Sequence, residues 1–270
     1  MISLDPAGLA VVALLLGLYV RAVRILARRG YRVPRGQLAC WYVGVGLIAA
    51  GLLGPLDRLA DDLLTAHMAQ HLLVADLAAP FLLAGLRNPV LYFFLPRPLL
   101  VRLARRRRLR AAFRAVRRPL VALPVYLAVL YTWHFAFAFD AALRHEWAHG
   151  LQHELFLIGA LLVWWPAIEP QRRTLPGELW KAGYILGARV MAMFVAMALI
   201  VARHPSYSFY ADRGGSHGLS PLSDQQLAGG LMLMVDVVVM LTALAFFFYR
   251  AGEAEDRRQE REHAAAARVV

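Results

Sequence analysis

Seven long apolar stretches, separated by shorter polar ones, dominate the hydrophobic pattern of the chain. They lie near residues 6–26, 37–54, 64–86, 120–139, 147–168, 179–201 and 225–249. Each is about 20 residues long, the length that an α-helix needs to cross the roughly 30 Å hydrocarbon core of a bilayer. The pattern predicts an all-α fold, a polytopic integral membrane helix bundle of about seven transmembrane helices.

Two segments fall outside this pattern. Residues 89–100 are apolar but short, and Pro89, Pro96 and Pro98 interrupt them, so we expect a hairpin or an interfacial stretch there. Residues 251–270 are charged and rich in alanine, and we expect them to form a disordered cytoplasmic tail. The remaining residues, 1–250, are predicted to form a single transmembrane helical domain.

The basic residues predict the orientation of the helices. All but five of the 30 Lys and Arg residues fall in the loops after the first, third and fifth predicted helices or in the tail. The exceptions are Arg58, Arg144, Arg203 and Arg213 in the other loops, and Arg189 inside a helix. Because cytoplasmic loops carry the excess of Lys and Arg, the N-terminus is predicted to lie outside and the C-terminus inside.

Composition limits the classes of function. Hydrophobic residues make up 60% of the 270, more than a soluble domain carries. The net charge of +12 would fit a nucleic-acid partner, but basic cytoplasmic loops explain it, so we expect a lipid bilayer and no nucleic acid around the protein. Cys40 is the single cysteine, which excludes an internal disulfide and a CxxC motif.

Histidines gather at the predicted extracytoplasmic face, where eight of the nine lie. Residues four apart on a helix share a face at about 6 Å, so two imidazoles so spaced can serve one ion or two adjacent ions. Five histidines on three helices lie at one depth: His67, His71, His134, His149 and His153. A single helical histidine is usually a packing residue, but polar groups inside a membrane mark function, and this group predicts a metal or cofactor site.

Methionines suggest which metal such a site would hold. Met68 adjoins the first histidine pair, and Met232 lies in the last predicted helix. Thioether and imidazole ligands without a thiolate suit Cu(I) better than hard cations. Met also fills gaps in helix packing, so we single out only these two as candidate ligands.

A local motif offers a different class of function. His145-Glu146-Trp147-Ala148-His149 fits H-E-x-x-H, in which two histidines bind zinc and the glutamate activates water. The motif crosses a predicted loop-to-helix boundary, and His153 continues the stripe without the glycine-containing extension of one large protease class. A membrane zinc metalloprotease therefore stays a minor alternative.

Three charged residues lie at mid-depth in predicted helices. They are Asp76, Arg189 and Asp236. An intramembrane arginine is costly unless it is paired, so we expect Arg189 to meet Asp236 or Asp76. The pair would either lock helix packing or belong to a proton path.

Five motifs follow one another along the chain: Gly54-Pro55-Leu56-Asp57, His67-Met68-Ala69-Gln70-His71, Trp133-His134, His149-Gly150-Leu151-Gln152-His153 and Asp224-Gln225-Gln226-Leu227-Ala228-Gly229. In combination they resemble the CtaG family of cytochrome c oxidase (caa3-type) assembly factors. It implies a non-enzymatic role in supplying copper to a maturing oxidase of the bacterial plasma membrane. The partners expected are the oxidase subunit that receives copper and an extracytoplasmic copper donor.

The resemblance and the histidine group together give one hypothesis. His67, His71, His134, His149 and His153 would bind copper, with Met68 and Met232 as soft ligands. Asp57 and Asp224, near the outer ends of helices, would lie behind the ligands or on an access path, or would only cap helices. Two alternatives stay open: a haem-binding electron carrier, since histidines on different helices can ligate haem iron, and a scaffold whose histidines only pack.

Overall fold

The computed structural model describes residues 6–170 and 177–266, and every regular element in them is helical. The elements in chain order are α1 (Pro6–Arg28), α2 (Arg35–Leu52), α3 (Pro55–Asp62), α4 (Leu64–His71), a π-helical turn (Leu72–Leu77), α5 (Ala78–Gly85), α6 (Val90–Phe94), α7 (Arg97–Arg105), α8 (Arg107–Val116), α9 (Pro119–His134), α10 (Ala136–Arg144), α11 (Glu146–Ile168), α12 (Glu178–Val201), α13 (Ser208–Ala211) and α14 (Pro221–Ala266). The predicted all-α class is confirmed.

By length and composition, five helical segments of the described chain are able to cross a membrane. They are Gly8–Arg28, Leu64–Gly85, Glu146–Ile168, Glu178–Val201 and Pro221–Ala264. Two bent pairs of helices pass the same test together, α2 with α3 at 45° and α9 with α10 at 71°. Counting each pair as one span gives the seven that the hydrophobic pattern predicts, and a polytopic membrane bundle results.

Both bends occur where the backbone stops helical hydrogen bonding. Gly54, between α2 and α3, is extended, and Pro55 after it has no N–H to continue the first helix. Phe135, between α9 and α10, is also extended, with φ −66° and ψ 138°. His134 is the last residue of α9 and lies directly before the second bend.

Residues 89–100 form two pieces too short to span a bilayer. The helix α6 has five residues and packs against α1, and α7 begins at Arg97. α7 and α8 carry many of the arginines of this loop, with Leu99, Leu109 and Phe113 also exposed. An amphipathic, arginine-rich surface of this kind fits the boundary between a membrane and water.

The tail differs from expectation. We predicted disorder after Arg250, but α14 continues as a helix to Ala266, and residues 267–270 lie outside the described part. Alanine, glutamate and arginine are strong helix formers, and ion pairs four residues apart support them. Arg257 contacts Glu253 at 3.4 Å and Arg258 contacts Glu262 at 3.0 Å. The charged side chains of this segment therefore keep an exposed helix soluble in water, and they do not prevent the helix from forming.

The buried side chains form two groups. The smaller one joins α1, α2, α5 and α6 around the stacked rings of Tyr19 and Trp41, whose centroids lie 4.5 Å apart. The larger one joins α4, α9, α11, α12 and α14 and includes Met68, Phe156 and Met232. Several histidines of the sequence analysis contact this larger group, so the candidate site lies within the bundle.

The close crossing of α12 and α14 depends on a glycine. A Cβ atom placed on Gly229 would lie 2.7 Å from the carbonyl oxygen of Ala196 and 2.9 Å from Ile200 Cγ1. Glycine lets membrane helices approach this closely, because dispersion contacts replace the hydrophobic effect as the main source of association. The next residue, Gly230, has no such neighbour within 4 Å.

We expect Gly229→Ala to lower the thermal unfolding midpoint of the detergent-purified protein, since overpacking costs about 1–3 kcal/mol. The matched control is Gly230→Ala, which gains up to about 1 kcal/mol of helix propensity without a clash. Equal midpoints for the two variants would contradict the close crossing.

Candidate metal centre

Four histidines from two helices meet inside the bundle. His67 and His71 lie on α4, and His149 and His153 lie on the first two turns of α11. One ring nitrogen from each comes within 4.8 Å of every other in the group. The structure therefore brings together four of the five histidines that the sequence placed at one depth, and we call these four the histidine cluster.

Ring contacts connect the two pairs across the helices. His67 lies 4.3 Å from His71, and His149 lies 4.3 Å from His153, as centroid distances within each helix. Between the helices, His67 and His149 are 5.1 Å apart and His71 and His153 are 4.9 Å apart. The four-residue spacing on each helix thus produces a four-sided arrangement of imidazoles.

Several ring nitrogens of the cluster are enclosed and have no hydrogen-bond partner among the described residues. They are His67 Nε2, His153 Nε2 and both ring nitrogens of His71. Leaving a buried polar atom unpaired costs about 1–3 kcal/mol, so several at one point need an explanation. A metal ion would satisfy one nitrogen of each ring, because a neutral imidazole offers one lone pair, and the residues present fit such an ion.

The spacing sets a condition on metal binding. Two imidazole nitrogens bound to one ion are at most about 4.2 Å apart when they lie on opposite sides of it, and about 3.4 Å apart in a tetrahedral site, since each bond is about 2.0–2.1 Å. The nitrogens of the histidine cluster are separated by up to 4.8 Å. The rings therefore need to move closer together for all four to bind a single ion.

The remaining histidine of the predicted set, His134, lies outside the cluster. Its ring centroid is 5.6 Å from Phe156 and 6.4 Å from Phe139, and both of these rings also contact histidines of the cluster. Nδ1 of His134 is 2.7 Å from the carbonyl oxygen of Leu130. A carbonyl only accepts, so Nδ1 carries the proton and Nε2 has the free lone pair.

Tyr207 fixes the backbone around His134. Its hydroxyl donates to the carbonyl oxygen of His134 at 3.1 Å, and its ring stacks on Phe139 at 4.1 Å. Burial, with a smaller effect of Asp140, raises the pKa of Tyr207 above its ordinary value. The hydroxyl therefore stays protonated at neutral pH and remains a donor.

Met68 and Met232 are both buried, and they face one small cavity. The cavity has a volume of about 30 Å³. Its lining includes Met68, His71, His134, Met232 and Asp76. The structure thus places both candidate thioethers next to His71 and His134, on the inner side of the cluster.

The two candidate carboxylates have different structural roles. Asp224, at the start of α14, accepts hydrogen bonds from the backbone N–H groups of Leu64 and Thr65 at 2.6 and 3.0 Å and from the Thr65 hydroxyl. It therefore caps α4, the helix of His67, from another span. Asp57 accepts a hydrogen bond from the Gln70 side chain at 2.8 Å.

Two glutamines adjoin the histidine pairs and were missed as site residues. Gln70 precedes His71 and Gln152 precedes His153, and both are buried. Gln70 also donates to the carbonyl oxygen of Gly51, whereas the Gln152 amide has no hydrogen-bond partner among the described residues. The signal was present in the sequence, since both pairs read H-x-x-Q-H.

Below the cavity, Arg189 pairs with both mid-depth carboxylates. Nη1 lies 2.7 Å from Asp76 and 2.8 Å from Asp236, and Nη2 donates to the Tyr126 hydroxyl at 3.2 Å. The arginine side chain is fully buried. These contacts join the third, sixth and seventh spans, and we call Arg189, Asp76 and Asp236 the charge triad.

The H-E-x-x-H motif does not assemble a zinc site within the described residues. His145 is the exposed residue before α11, and its backbone is extended. Its ring stacks loosely against the exposed Trp147 at 6.4 Å, while His149 belongs to the histidine cluster. The zinc chemistry requires both histidines on one helical face, which this geometry does not provide.

The space around the histidines also does not suit a haem. Cofactor cavities are on the order of 300–1,000 Å³, whereas the cavity beside His71 and His134 has about 30 Å³. A larger cavity of about 1120 Å³ lies at the opposite end of the bundle, and its described lining contains no histidine. The imidazoles and the open volume are therefore in different places.

The fold and site define a polytopic helical membrane protein with a buried histidine cluster near one end of its spans. The family model described as cytochrome c oxidase caa3 assembly factor (Caa3_CtaG) matches residues 17–253. The chain belongs to this family, and the resemblance of its motifs is confirmed. No curated protein and no solved structure is found to match it.

For the charge triad, we expect Arg189→Met to destabilise the protein by about 3–5 kcal/mol, because two buried carboxylates lose their counter-charge. The triple variant Arg189→Met/Asp76→Asn/Asp236→Asn removes all three charges and should lose much less. Thermal unfolding in detergent measures both, and a single variant as stable as the wild type would refute the pairing.

For the interhelical cap, Asp224→Ala should cost about 1–2 kcal/mol and speed hydrogen exchange at the Leu64 and Thr65 amides. Asp224→Asn keeps one side-chain oxygen and should restore part of the loss. Asp212→Ala, at an exposed aspartate, serves as the control. Unchanged exchange at both amides in Asp224→Ala would show that the cap does not hold α4.

Proposed function

We propose that this protein binds copper at the histidine cluster and assists its delivery to the maturing cytochrome c oxidase in the same plasma membrane. The observation that carries the proposal is the meeting of four imidazoles on two helices, with enclosed nitrogens that lack hydrogen-bond partners among the described residues. Membership in a family of cytochrome c oxidase assembly factors supports the oxidase as the recipient of the copper.

The ligand chemistry supports a carrier more than a resident metal centre. Imidazole and thioether groups bind Cu(I) without the strong hold of a thiolate. Cys40 lines the large cavity at the opposite end of the bundle, away from the histidines. Such a site releases its cargo to a better ligand set, as delivery requires.

The position of the cluster supports exchange with partners outside the membrane. Its histidines lie in the first turns of α4 and α11, at the ends that the charge pattern predicts to be extracytoplasmic. His149 is only partly buried and lies nearer the surface than His71. An extracytoplasmic donor would therefore reach His149 first, and the oxidase subunit would receive copper at the same face.

We assign the protein a binding role and no catalytic one. The exposed His145 and Glu146 lie apart from the cluster, which removes the arrangement on which the protease alternative depends. The alternative ligand to test is haem, which the small cavity beside the histidines disfavours.

The test is metal content together with an optical spectrum of detergent-purified protein. We expect copper in the wild type, and loss of the copper bound by the histidine cluster in His67→Ala/His71→Ala and in His149→Ala/His153→Ala, because each double variant removes half of the imidazoles of the cluster. The control is His204→Ala/His217→Ala, which removes two exposed histidines from outer loops and should leave the copper content unchanged.

Three results would overturn parts of the proposal. A Soret band in the wild type would favour the haem-binding carrier. Absence of metal from every sample would favour a scaffold whose histidines pack. A copper content that stays at the wild-type level in both double variants would place the site elsewhere in the chain.

A further inference from the structure

We propose that the protein holds Cu(I) at two successive positions: the histidine cluster and, on its inner side, the cavity lined by Met68, His71, His134 and Met232. The inference rests on the proposed copper function and divides one expected ligand set into two. His71 adjoins both positions and, because a neutral imidazole has one lone pair, binds the ion of one position at a time.

The separation of the ligands argues for two positions. Phe156 contacts both His71 and His134, with ring centroids 4.7 Å from the first and 5.6 Å from the second. His134 is absent from the group of ring nitrogens that lie within 4.8 Å of one another. An ion bound by the four histidines of the cluster therefore has His134 outside its ligand group, and His134 is left for an ion in the cavity.

The lining of the cavity is suited to a soft monovalent ion. Met68 and Met232 are 1% and 7% exposed, so their thioethers are withdrawn from lipid and water. His134 adds an enclosed Nε2 that has no hydrogen-bond partner in the described chain, and its tautomer leaves the lone pair on that atom. Two thioethers with imidazole form a ligand set for Cu(I), which hard divalent cations do not favour.

The size of the cavity supports the same ion. A space of about 30 Å³ accommodates one water or one ion without its hydration shell, since a single water needs about 10–15 Å³ by this measure. Hard divalent ions such as Mg²⁺ keep several waters and shed them reluctantly. The cavity thus admits a dehydrated ion and excludes a hydrated one.

The π-helical turn brings a carboxylate to this cavity. Residues five apart in an α-helix point about 140° away from each other, whereas a π turn closes bonds between such residues and aligns them. His71 and Asp76 are five apart across Leu72–Leu77, and both line the cavity. The Asp76 side chain keeps 18% exposure, while Arg189 beside it has none.

The charge triad gives the inner end of the cavity a net negative charge, which attracts a cation. Two carboxylates and one guanidinium carry one formal negative charge, and Asp76 is the member that the cavity reaches. In a low-dielectric interior this charge favours a single positive charge nearby. Cu(I) in the cavity would balance the triad, whereas a divalent ion would leave an excess positive charge.

The two positions give a direction to copper movement. His149 is the partly buried end of the cluster, His71 is shared, and the cavity lies deeper, next to the triad. His71, which adjoins both positions, would pass an ion from one to the other by exchange of ligands, with no bonds formed or broken other than those to the metal. A second, sulfur-rich position keeps one ion in reserve while the cluster is being emptied.

The experiment is an anaerobic titration of purified protein with Cu(I) against a chromogenic chelator, with X-ray absorption spectra of the loaded samples. We expect about two equivalents in the wild type and a sulfur shell around copper. Met68→Leu/Met232→Leu should retain about one equivalent with nitrogen neighbours only. His149→Ala/His153→Ala should retain the sulfur-bound ion and lose the other.

The control is Met234→Leu, at a methionine that is 58% exposed on the same helix as Met232, and it should behave as the wild type. Met→Leu conserves volume and usually costs less than about 1.5 kcal/mol, which thermal unfolding checks. Should the double methionine variant unfold, the wild-type spectrum still decides, because the cluster alone offers no sulfur.

The outcomes separate this inference from the proposed function. One equivalent with nitrogen neighbours only, lost in the His149→Ala/His153→Ala variant, would overturn the second position and leave the copper function standing. A sulfur shell that persists in Met68→Leu/Met232→Leu would also overturn it. Wild-type protein that binds no copper would overturn both.

Discussion

Arg189 imposes the strictest constraint on this bundle. A guanidinium at mid-depth in the hydrocarbon needs carboxylates at hydrogen-bonding distance, and it obtains Asp76 from the third span and Asp236 from the seventh. Apolar side chains do not select one arrangement of membrane helices, because lipid is as apolar as the helix surfaces. The charge triad therefore determines which faces of the third, sixth and seventh spans meet. The third span also carries His67 and His71, so the same contacts help to position the histidine cluster.

The π-helical turn connects the charge triad to the histidine cluster. The third span must present His67 and His71 to α11 and also present Asp76 to Arg189, which regular α-helical geometry would turn away. The turn Leu72–Leu77 reconciles the two requirements within one continuous helix. Asp224 then holds the beginning of that helix, so both ends of the His-bearing segment are fixed by other spans.

The structure agrees with the sequence-based predictions where it depends on local properties. Span lengths follow from runs of apolar residues, and the histidine pairs follow from four-residue spacing on helices that those runs predict. At residues 251–266 the structure has a helix where the charge was taken as a sign of disorder, and the composition of this segment also favours a helix. Gln70 and Gln152 were not predicted as site residues, although each precedes the second histidine of its pair in the sequence.

The sequence by itself determined the membrane class, the number of spans when bent pairs are counted once, the family, and which residues could bind a metal. All of these depend on side-chain chemistry or on periodicity within a single helix. Only the tertiary structure decided that His134 lies apart from the other four histidines, that Met68 and Met232 share a cavity, and that Asp224 caps a helix about 160 positions before it. These relations join residues far apart in the chain, and packing between helices, which no local pattern encodes, brings them together.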